Sequence, residues 1–307
     1  MILAHPNDDL GAATWIDLLE PTPEEVERVS RATGLRVPSE HTISEIESSS
    51  RLGFDNRAYY VSTPLVAPRD DGDLVLTPVG FVLSSHVLLT VRFSPLPSFD
   101  AAHEGCSGQP PRTAEEAFLR IFEIVVDRSA DGLERAGAEC DDLSRGAFRG
   151  AARSAPSHNL NATLRRVGGV ADRMSHVRDG LLGLGRIVAF VMDSGFEGAP
   201  TVSAARMKAV RADVASLTEY EAHLSGKVQF LLDATLGLIN IEQNEIVKTL
   251  TIASVVGIPP VLVAGIYGMN FRFMPELDWR LGYPMAIALV VISALLPLLW
   301  FKRRGWM

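Results

Sequence analysis

The chain has 307 residues, 47% of them hydrophobic and 21% charged, with a mean hydropathy of +0.15; this excludes global disorder, and equally a protein that is membrane throughout. A net charge of −8 and a pI near 5.4 argue against a nucleic-acid partner, because phosphate binding calls for a basic face. The charge is unevenly spread: of 29 basic and 37 acidic side chains, six and two fall from Lys248 onward, so a body of −12 precedes a tail of +4.

The opening MILAHPNDDLGAATW carries neither a basic n-region nor an apolar run, so no signal peptide is expected there. Residues 1–112 read as a cytosolic mixed α/β domain. Within it, 13–18 (ATWIDL) suit a short strand, and Pro21-Thr22-Pro23-Glu24-Glu25 opens a helix. Thr22 is its N-cap, Pro23 its first residue and Glu25 its third. Residues 57–64 alternate as a strand, and 74–92, rich in Val, Leu and Phe, give two or three more. Asp70-Asp71-Gly72-Asp73 is a turn, read either as a solvated acidic hairpin or as carboxylates gathered for a metal.

After 106–111 the pattern turns helical. Residues 113–200 read as cytosolic helices, 113–148 and 160–194 being long, charge-laced and punctuated by Pro156 and the 195–200 stretch. A third helix begins near Val202 and meets no proline until Pro259. Unbroken over 204–266, it would span about 63 residues, or ~94 Å at ~1.5 Å per residue. Its first part, 201–248, is then a stalk and its last part, 249–267, a first transmembrane helix.

Residues 249–267 (TLTIASVVGIPPVLVAGIY) and 283–301 (YPMAIALVVISALLPLLWF) each run 19 positions without a charge. An α-helix needs about 20 to cross a ~30 Å hydrocarbon layer. Tyr267, Tyr283 and Trp300 stand at segment ends, where aromatic belts form. Lys248, Lys302, Arg303 and Arg304 flank the outer ends of this hairpin, against Arg272 and Arg280 in the 268–282 loop. By the positive-inside rule both termini, including the basic tail 302–307, face the cytoplasm. Cys106 and Cys140 form neither a disulfide framework nor a CxxC site, and free thiols suit that compartment.

Along the third helix, small or polar residues recur in steps of three and four: Asp233, Leu236 or Gly237, Asn240, Asn244, Val247, Thr251, Ser254, Ile258, Val261 and Gly265. The mean step near 3.5 is that of a helix–helix seam. Two accounts fit it. Small residues and hydroxyls are common where membrane helices pack. Alternatively, the same helix from several subunits lines a pore, with Asp233, Asn240 and Asn244 gathering hydrated cations below the membrane. Ile258 with Val247 or Leu250 would then form apolar constrictions that gate by dewetting. Pro259 and Pro260 each remove a backbone donor, leaving carbonyls near Val255 and Val256 without partners. Membranes tolerate that where the freed groups face protein or a watery cavity.

Between the two apolar segments the chain reads Tyr267-Gly268-Met269-Asn270-Phe271, then Met274-Pro275-Glu276-Leu277. YGMNF followed by MPEL, placed between two C-terminal transmembrane helices, resembles the CorA family of magnesium channels. The 236–244 stretch LGLINIEQN, the Pro259-Pro260 pair, Gly282-Tyr283-Pro284, and the Phe301-Lys302-Arg303 ending with Trp306 resemble its enterobacterial branch, and IDLLEPTPEE matches the cytosolic domain more loosely. The resemblance implies an α+β cytosolic domain, a long helical stalk and two transmembrane helices assembled as a funnel-shaped homopentamer in a bacterial inner membrane. It implies Mg²⁺ influx, with Co²⁺ and Ni²⁺ as alternative permeants, gated by intracellular Mg²⁺. Gly268, Met269 and Asn270 would form the selective extracytoplasmic mouth, and Asp233, Asn244, Val247, Leu250, Ile258 and Val261 would line the path. The alternatives are a zinc transporter of the same superfamily and a membrane-anchored cytosolic binding module.

The chemistry is consistent with this. Mg²⁺ demands near-octahedral oxygen and gives up water reluctantly. A ring of Asn270 amides can hold a hydrated ion without replacing its first shell, and holds it weakly enough for release. Glu276 either raises the local cation concentration or is a solvated loop acid. For the sensor, 206–221 carries Asp213, Glu219 and Glu221, and Asp8, Asp9, Asp141 and Asp142 are further carboxylates, none alignable to a sensor position. His5, His41, His86, His103, His158, His176 and His223 are dispersed and form no HExxH pattern. With no P-loop, nucleophile elbow or intramembrane acid or base, no enzymatic chemistry is expected and the membrane potential is left as the driving force.

Overall fold

A computed structural model describes residues 1–7, 9–45, 47, 51–68, 74–151, 157–193, 202–270 and 274–306. The chain divides into two compact units, Met1–Ala152 with Ala162–Leu232, and Arg153–Asn161 with Asp233–Met307.

The first unit is built on a six-stranded sheet of β1 (Ile2–His5), β2 (Trp15–Leu19), β3 (Leu52–Asp55), β4 (Ala58–Pro68), β5 (Leu74–Leu83) and β6 (Leu88–Arg92), in the order β1-β2-β6-β5-β4-β3. Every pairing is antiparallel except β2 with β6, where Trp15 lies opposite Leu88 and Leu19 opposite Arg92. Side chains alternate between the faces of each strand, and the burial follows. Ile16, Leu18, Val82, Leu89 and Val91 join Val29 of helix α1 (Pro23–Thr33) in one core. Trp15, Val79, Phe81, Leu83 and Leu88 join the other, with Phe99 of α3 (Pro97–Gly108) and Phe118 and Phe122 of α4 (Ala114–Ala151). Asp17, Thr90 and Arg92 share that second face and are buried with it.

Local chemistry sets α1. Thr22 Oγ1 accepts from the Glu25 N–H at 3.3 Å while Glu25 Oε2 accepts from the Thr22 N–H at 2.9 Å, a reciprocal cap with Pro23 at the start. The N-terminal ammonium also reaches Glu25, at 3.1 Å. A short α2 (Glu40–Ser44) follows. The expected strands appear as β2, β4, β5 and β6, whereas β1, β3, α2 and α3 had no counterpart in the sequence reading. The Asp70–Asp73 turn lies outside the described residues, as do Asp8, Phe271 and Arg272.

Helices α4, α5 (Ser157–Asp193) and the first part of α6 (Ala204–Tyr267) pack as three. Leu133 and Cys140 of α4, Val170 and Met174 of α5, and Leu224 and Val228 of α6 form their common core. Ion pairs tie the same helices: Arg206 to Glu123 at 2.8 Å, Arg173 and Arg166 to Glu139, and Lys227 to Asp141.

In the second unit, α6 continues to Tyr267 as one helix of 64 residues through Pro259 and Pro260. A 3₁₀ turn (Pro275–Asp278) then leads to α7 (Gly282–Arg303). Gly282 is required where these meet, since a Cβ there would lie 2.2 Å from the Glu276 carbonyl oxygen. At the far end of α7, Gly305 turns left-handed (φ 71°) and the Trp306 N–H donates to the Phe301 carbonyl at 3.1 Å. The Trp306 ring stacks on Phe301, and Arg304 lies over Trp300 at 4.9 Å. Both α6 and α7 are long and apolar enough to cross a membrane.

Candidate functional site

The sequence-derived site residues fall on the second unit and the end of α6. Asp233, Asn240, Asn244, Val247, Leu250, Thr251, Ile258 and Val261 all lie on α6 and are exposed in the single chain. Val247, Leu250, Ile258 and Val261 show 60–72% of their surfaces, an exposure of branched apolar side chains that water does not favour. A straight helix turns about 100° per residue. On that count Asp233, Asn240, Asn244, Thr251 and Ile258 fall within about 40° of one another and Val247 stands beside them. Leu250 and Val261 are set about 80–100° round from Asp233, on the flank of this stripe. The Thr251 hydroxyl donates to the Val247 carbonyl at 2.8 Å, one turn back along the same helix.

Helix α6 ends into the Gly268-Met269-Asn270 segment. The Gly268 N–H donates to Ala264 at 2.9 Å and the Met269 N–H to Ile266 at 3.3 Å, closing the last turn. A Cβ at Gly268 would lie 3.1 Å from the Ala264 carbonyl oxygen, so glycine permits this tight closure. Asn270 follows at once and is exposed. It stands beyond the negative end of the α6 macrodipole, where a cation is favoured over an anion. The exposed Glu276 lies in the 3₁₀ turn, whose carbonyl the Gly282 corner packs against.

The acids raised as sensors separate clearly. Asp213 and Glu219 are exposed on α6, whereas Glu221 is buried at 1%. Glu221 Oε1 accepts from Ser225 at 2.7 Å, and its Oε2 has Arg178 at 3.6 Å, an ion pair without a hydrogen bond. Asp141 is held by Lys227, whose hydrogen bond and charge lower its pKa, and Asp142 pairs with Arg145. Asp9 Oδ1 accepts from the Gly11 N–H at 3.0 Å. Among the described residues, no group of three or more His, Cys, Asp or Glu is arranged to hold a metal.

One residue on the side of α6 opposite the stripe was not singled out in the sequence. Glu242 sits between Asn240 and Asn244 on α6, and its Oε2 is buried without a hydrogen-bond partner. Its signal was present, an acid within an amide-rich run, but its position off the stripe hid it.

Comparison with known proteins gives consistent matches. The sequence model of the family described as CorA-like Mg²⁺ transporter protein matches residues 11–303. The magnesium transport protein CorA of Haemophilus influenzae is 35% identical over 303 residues, covering 97% of this chain and 94% of that protein. The protein of the same name from Yersinia pestis is 34% identical, covering 98% and 94%. Among solved structures, the complete CorA magnesium transporter from Methanocaldococcus jannaschii matches with a TM-score of 0.74 at 21% identity, covering 95% of this chain and 91% of that one. That likeness is one of fold.

Proposed function

This chain belongs to the CorA-like Mg²⁺ transporter family, and from that premise we propose that it forms a Mg²⁺ channel in which α6 from five copies lines the conduction path. The observation that carries the proposal is the make-up of one helix. Amides and an acid stand at its inner part (Asp233, Asn240, Asn244), apolar side chains in its membrane part, and Asn270 just past its end, all exposed in the single chain.

In this reading a hydrated Mg²⁺ is held at the mouth by Asn270 carbonyl oxygens hydrogen-bonded to its water shell. Gly268 and Met269 shape the turn, and Glu276 raises the local cation concentration. Rings of Val247, Leu250, Ile258 and Val261 are the apolar constriction, which conducts when wetted and closes when dry, with the hydroxyls of Thr251 and Ser254 among them. Asn244, Asn240 and Asp233 receive the ion on the inner side. Moving a divalent cation inward gains about 4.6 kcal/mol per 100 mV, so passive flow suffices and the device needed is a gate. Intracellular Mg²⁺ on cytosolic carboxylates, Asp213 among them, supplies the closing signal. Co²⁺ and Ni²⁺, similar in size and hydration, are accepted by the same amides. The site is in an inner membrane with both termini cytoplasmic, by the weight of Lys248, Lys302, Arg303 and Arg304 over Arg280 and Arg272.

The test is Mg²⁺ flux into proteoliposomes under an imposed potential. Wild type conducts and Asn270→Ala does not; equal flux from both refutes the role of Asn270. Native mass spectrometry in detergent should give five chains, and a monomer or dimer refutes the pore.

A further inference from the structure

The C-terminal turn of the second unit is a folded structure that presents three cations. Helix α7 closes on a complete left-handed cap. The Gly305 N–H donates to the Lys302 carbonyl at 3.3 Å and the Trp306 N–H to the Phe301 carbonyl at 3.1 Å, with Gly305 at the positive φ this closure needs. The apolar contact that accompanies such a cap is present too. Trp306 stacks on the buried Phe301, with ring centres 5.4 Å apart and planes at 27°.

Lys302, Arg303 and Arg304 are all exposed, and none makes an ion pair or a side-chain hydrogen bond among the described residues. Lys248, at the inner end of the other apolar segment, differs: Glu245 lies 3.8 Å from it. No Asp or Glu follows Asp278, so α7 has no acid of its own to supply. At ~100° per residue the three cations spread over ~200° of the helix end, too wide an arc for one carboxylate or one neighbouring helix to meet. The negative end of the helix dipole favours these charges but leaves their N–H groups unfilled. Arg304 also lies over the Trp300 ring at 4.9 Å, a contact that engages its charge and leaves its five N–H donors to be met elsewhere.

Depth supplies the independent observation. The uncharged run 283–301 covers ~28 Å as a helix, close to the ~30 Å of a hydrocarbon layer. Lys302 therefore begins where lipid headgroups begin. Trp300 and Trp306 stand on either side of the three cations, 50% and 40% exposed, and indoles favour that same level.

We propose that this turn binds the phosphate of an anionic phospholipid in the cytoplasmic leaflet, a phosphodiester with one net negative charge. The proposal rests on the membrane-spanning reading of α7 given above. Arg304, set against Trp300, donates to the phosphate oxygens, and Lys302 and Arg303 meet adjoining headgroups. Trp306, braced by Phe301, lies against the first carbons of the acyl chains. A phosphatidylcholine brings its own ammonium beside the phosphate and gains less. An acidic face of a second copy is the competing acceptor, but it would cover one side of a helix end whose cations face several.

The test is tryptophan quenching in vesicles of dibrominated phosphatidylglycerol mixed with plain phosphatidylcholine, and in the converse mixture. The protein is the full chain carrying Trp279→Phe, which leaves Trp300 and Trp306 as the indoles near lipid, Trp15 being buried in the first unit. The two mixtures together give a binding ratio. Phosphatidylglycerol should be favoured by about tenfold or more, and Arg304→Gln should lower that ratio about fivefold, the value of one cation near an anionic surface. Trp306→Ala keeps every charge and removes the brace; read through Trp300, it should lower the ratio about threefold. No preference in the reference protein, or a ratio unchanged by Arg304→Gln, overturns the proposal. So does a ratio unchanged by Trp306→Ala, which would mean a diffuse basic tail. Quenching by neither lipid would place α7 outside the membrane and overturn the channel reading as well. Failure of that reading alone shows as absent Mg²⁺ flux or fewer than five chains, on neither of which the ratio depends.

Discussion

Asp17→Asn should be among the most damaging conservative changes in the first unit. The carboxylate is wholly buried and Arg92 is 2% exposed beside it. Arg92 donates to Asp17 Oδ2 from Nε at 3.1 Å and from Nη2 at 2.9 Å, and His103 Nε2 lies 2.9 Å from the same oxygen. Thr90 donates to Oδ1 at 2.7 Å and in turn accepts from the Trp15 indole at 3.0 Å. Burial alone would raise the Asp17 pKa; the His103 hydrogen bond and the Arg92 charge outweigh it, with Thr90, and hold it below the usual range. An amide preserves the shape and removes the charge, leaving a buried guanidinium uncompensated. Breaking such a pair costs about 3–5 kcal/mol, which for a unit of this size is a fall in melting temperature of roughly 6–20 °C. Replacing both partners by apolar residues (Asp17→Leu with Arg92→Met) should recover much of that loss, because no charge is then stranded. Circular dichroism melts of the full chain in detergent give all three values. Since the folded-state pKa is depressed, the Asp17 contribution is fully present above its unfolded value of about 3.9 and is lost as pH falls through the folded one. The gap between wild type and Asp17→Asn should therefore narrow below about pH 4. A shift under about 2 °C, or a double variant no better than the single one, refutes the reasoning.

Three further outcomes are expected. Gly282→Ala places a Cβ 2.2 Å from the Glu276 carbonyl oxygen, so the 3₁₀ turn must move; overpacking of this kind costs about 1–3 kcal/mol, and the assay is Mg²⁺ flux together with the melting temperature. Thr22→Ala removes one half of the α1 cap and should cost about 1 kcal/mol, read as a drop of a few degrees in the same melt. Cys106 and Cys140 are both buried, and burial pushes both thiols up from their ordinary pKa. Neither should react with iodoacetamide in the native protein at pH 7.5, and both should react after denaturation; rapid native labelling would contradict their packing.

What could be read from the sequence was whatever nearby residues decide. The α1 cap is spelled within four positions, and the α6 stripe repeats every three or four, so both were legible. The strand β2 was legible too, but not the meaning of Asp17 within it. An acid two places from Trp15 falls on the same face of β2 as that ring, and both faces are buried, yet the groups that satisfy it lie at Thr90, Arg92 and His103, on other elements. Helix α3 went unread because Gly105, Ser107 and Gly108 dilute its apolar pattern, and β1 because four residues at a sheet edge give no period to count. At the candidate site, GMN and MPEL announced themselves by residue type. The corner between Glu276 and Gly282 did not, because it is a contact of backbone with backbone.

The pairing of β2 with β6 sets a timetable. Trp15 meets Leu88 only when more than 70 further residues have been made, and the first unit, which includes the helical segments covering that face of the sheet, runs on to Leu232. All of this precedes residue 249 in the sequence, so every part of the first unit is synthesised before the first apolar segment. At about 5–20 residues per second the 75 residues after Leu232 occupy roughly 4–15 s of translation. The sheet and its helices thus have seconds in which to fold before the last apolar segment is complete.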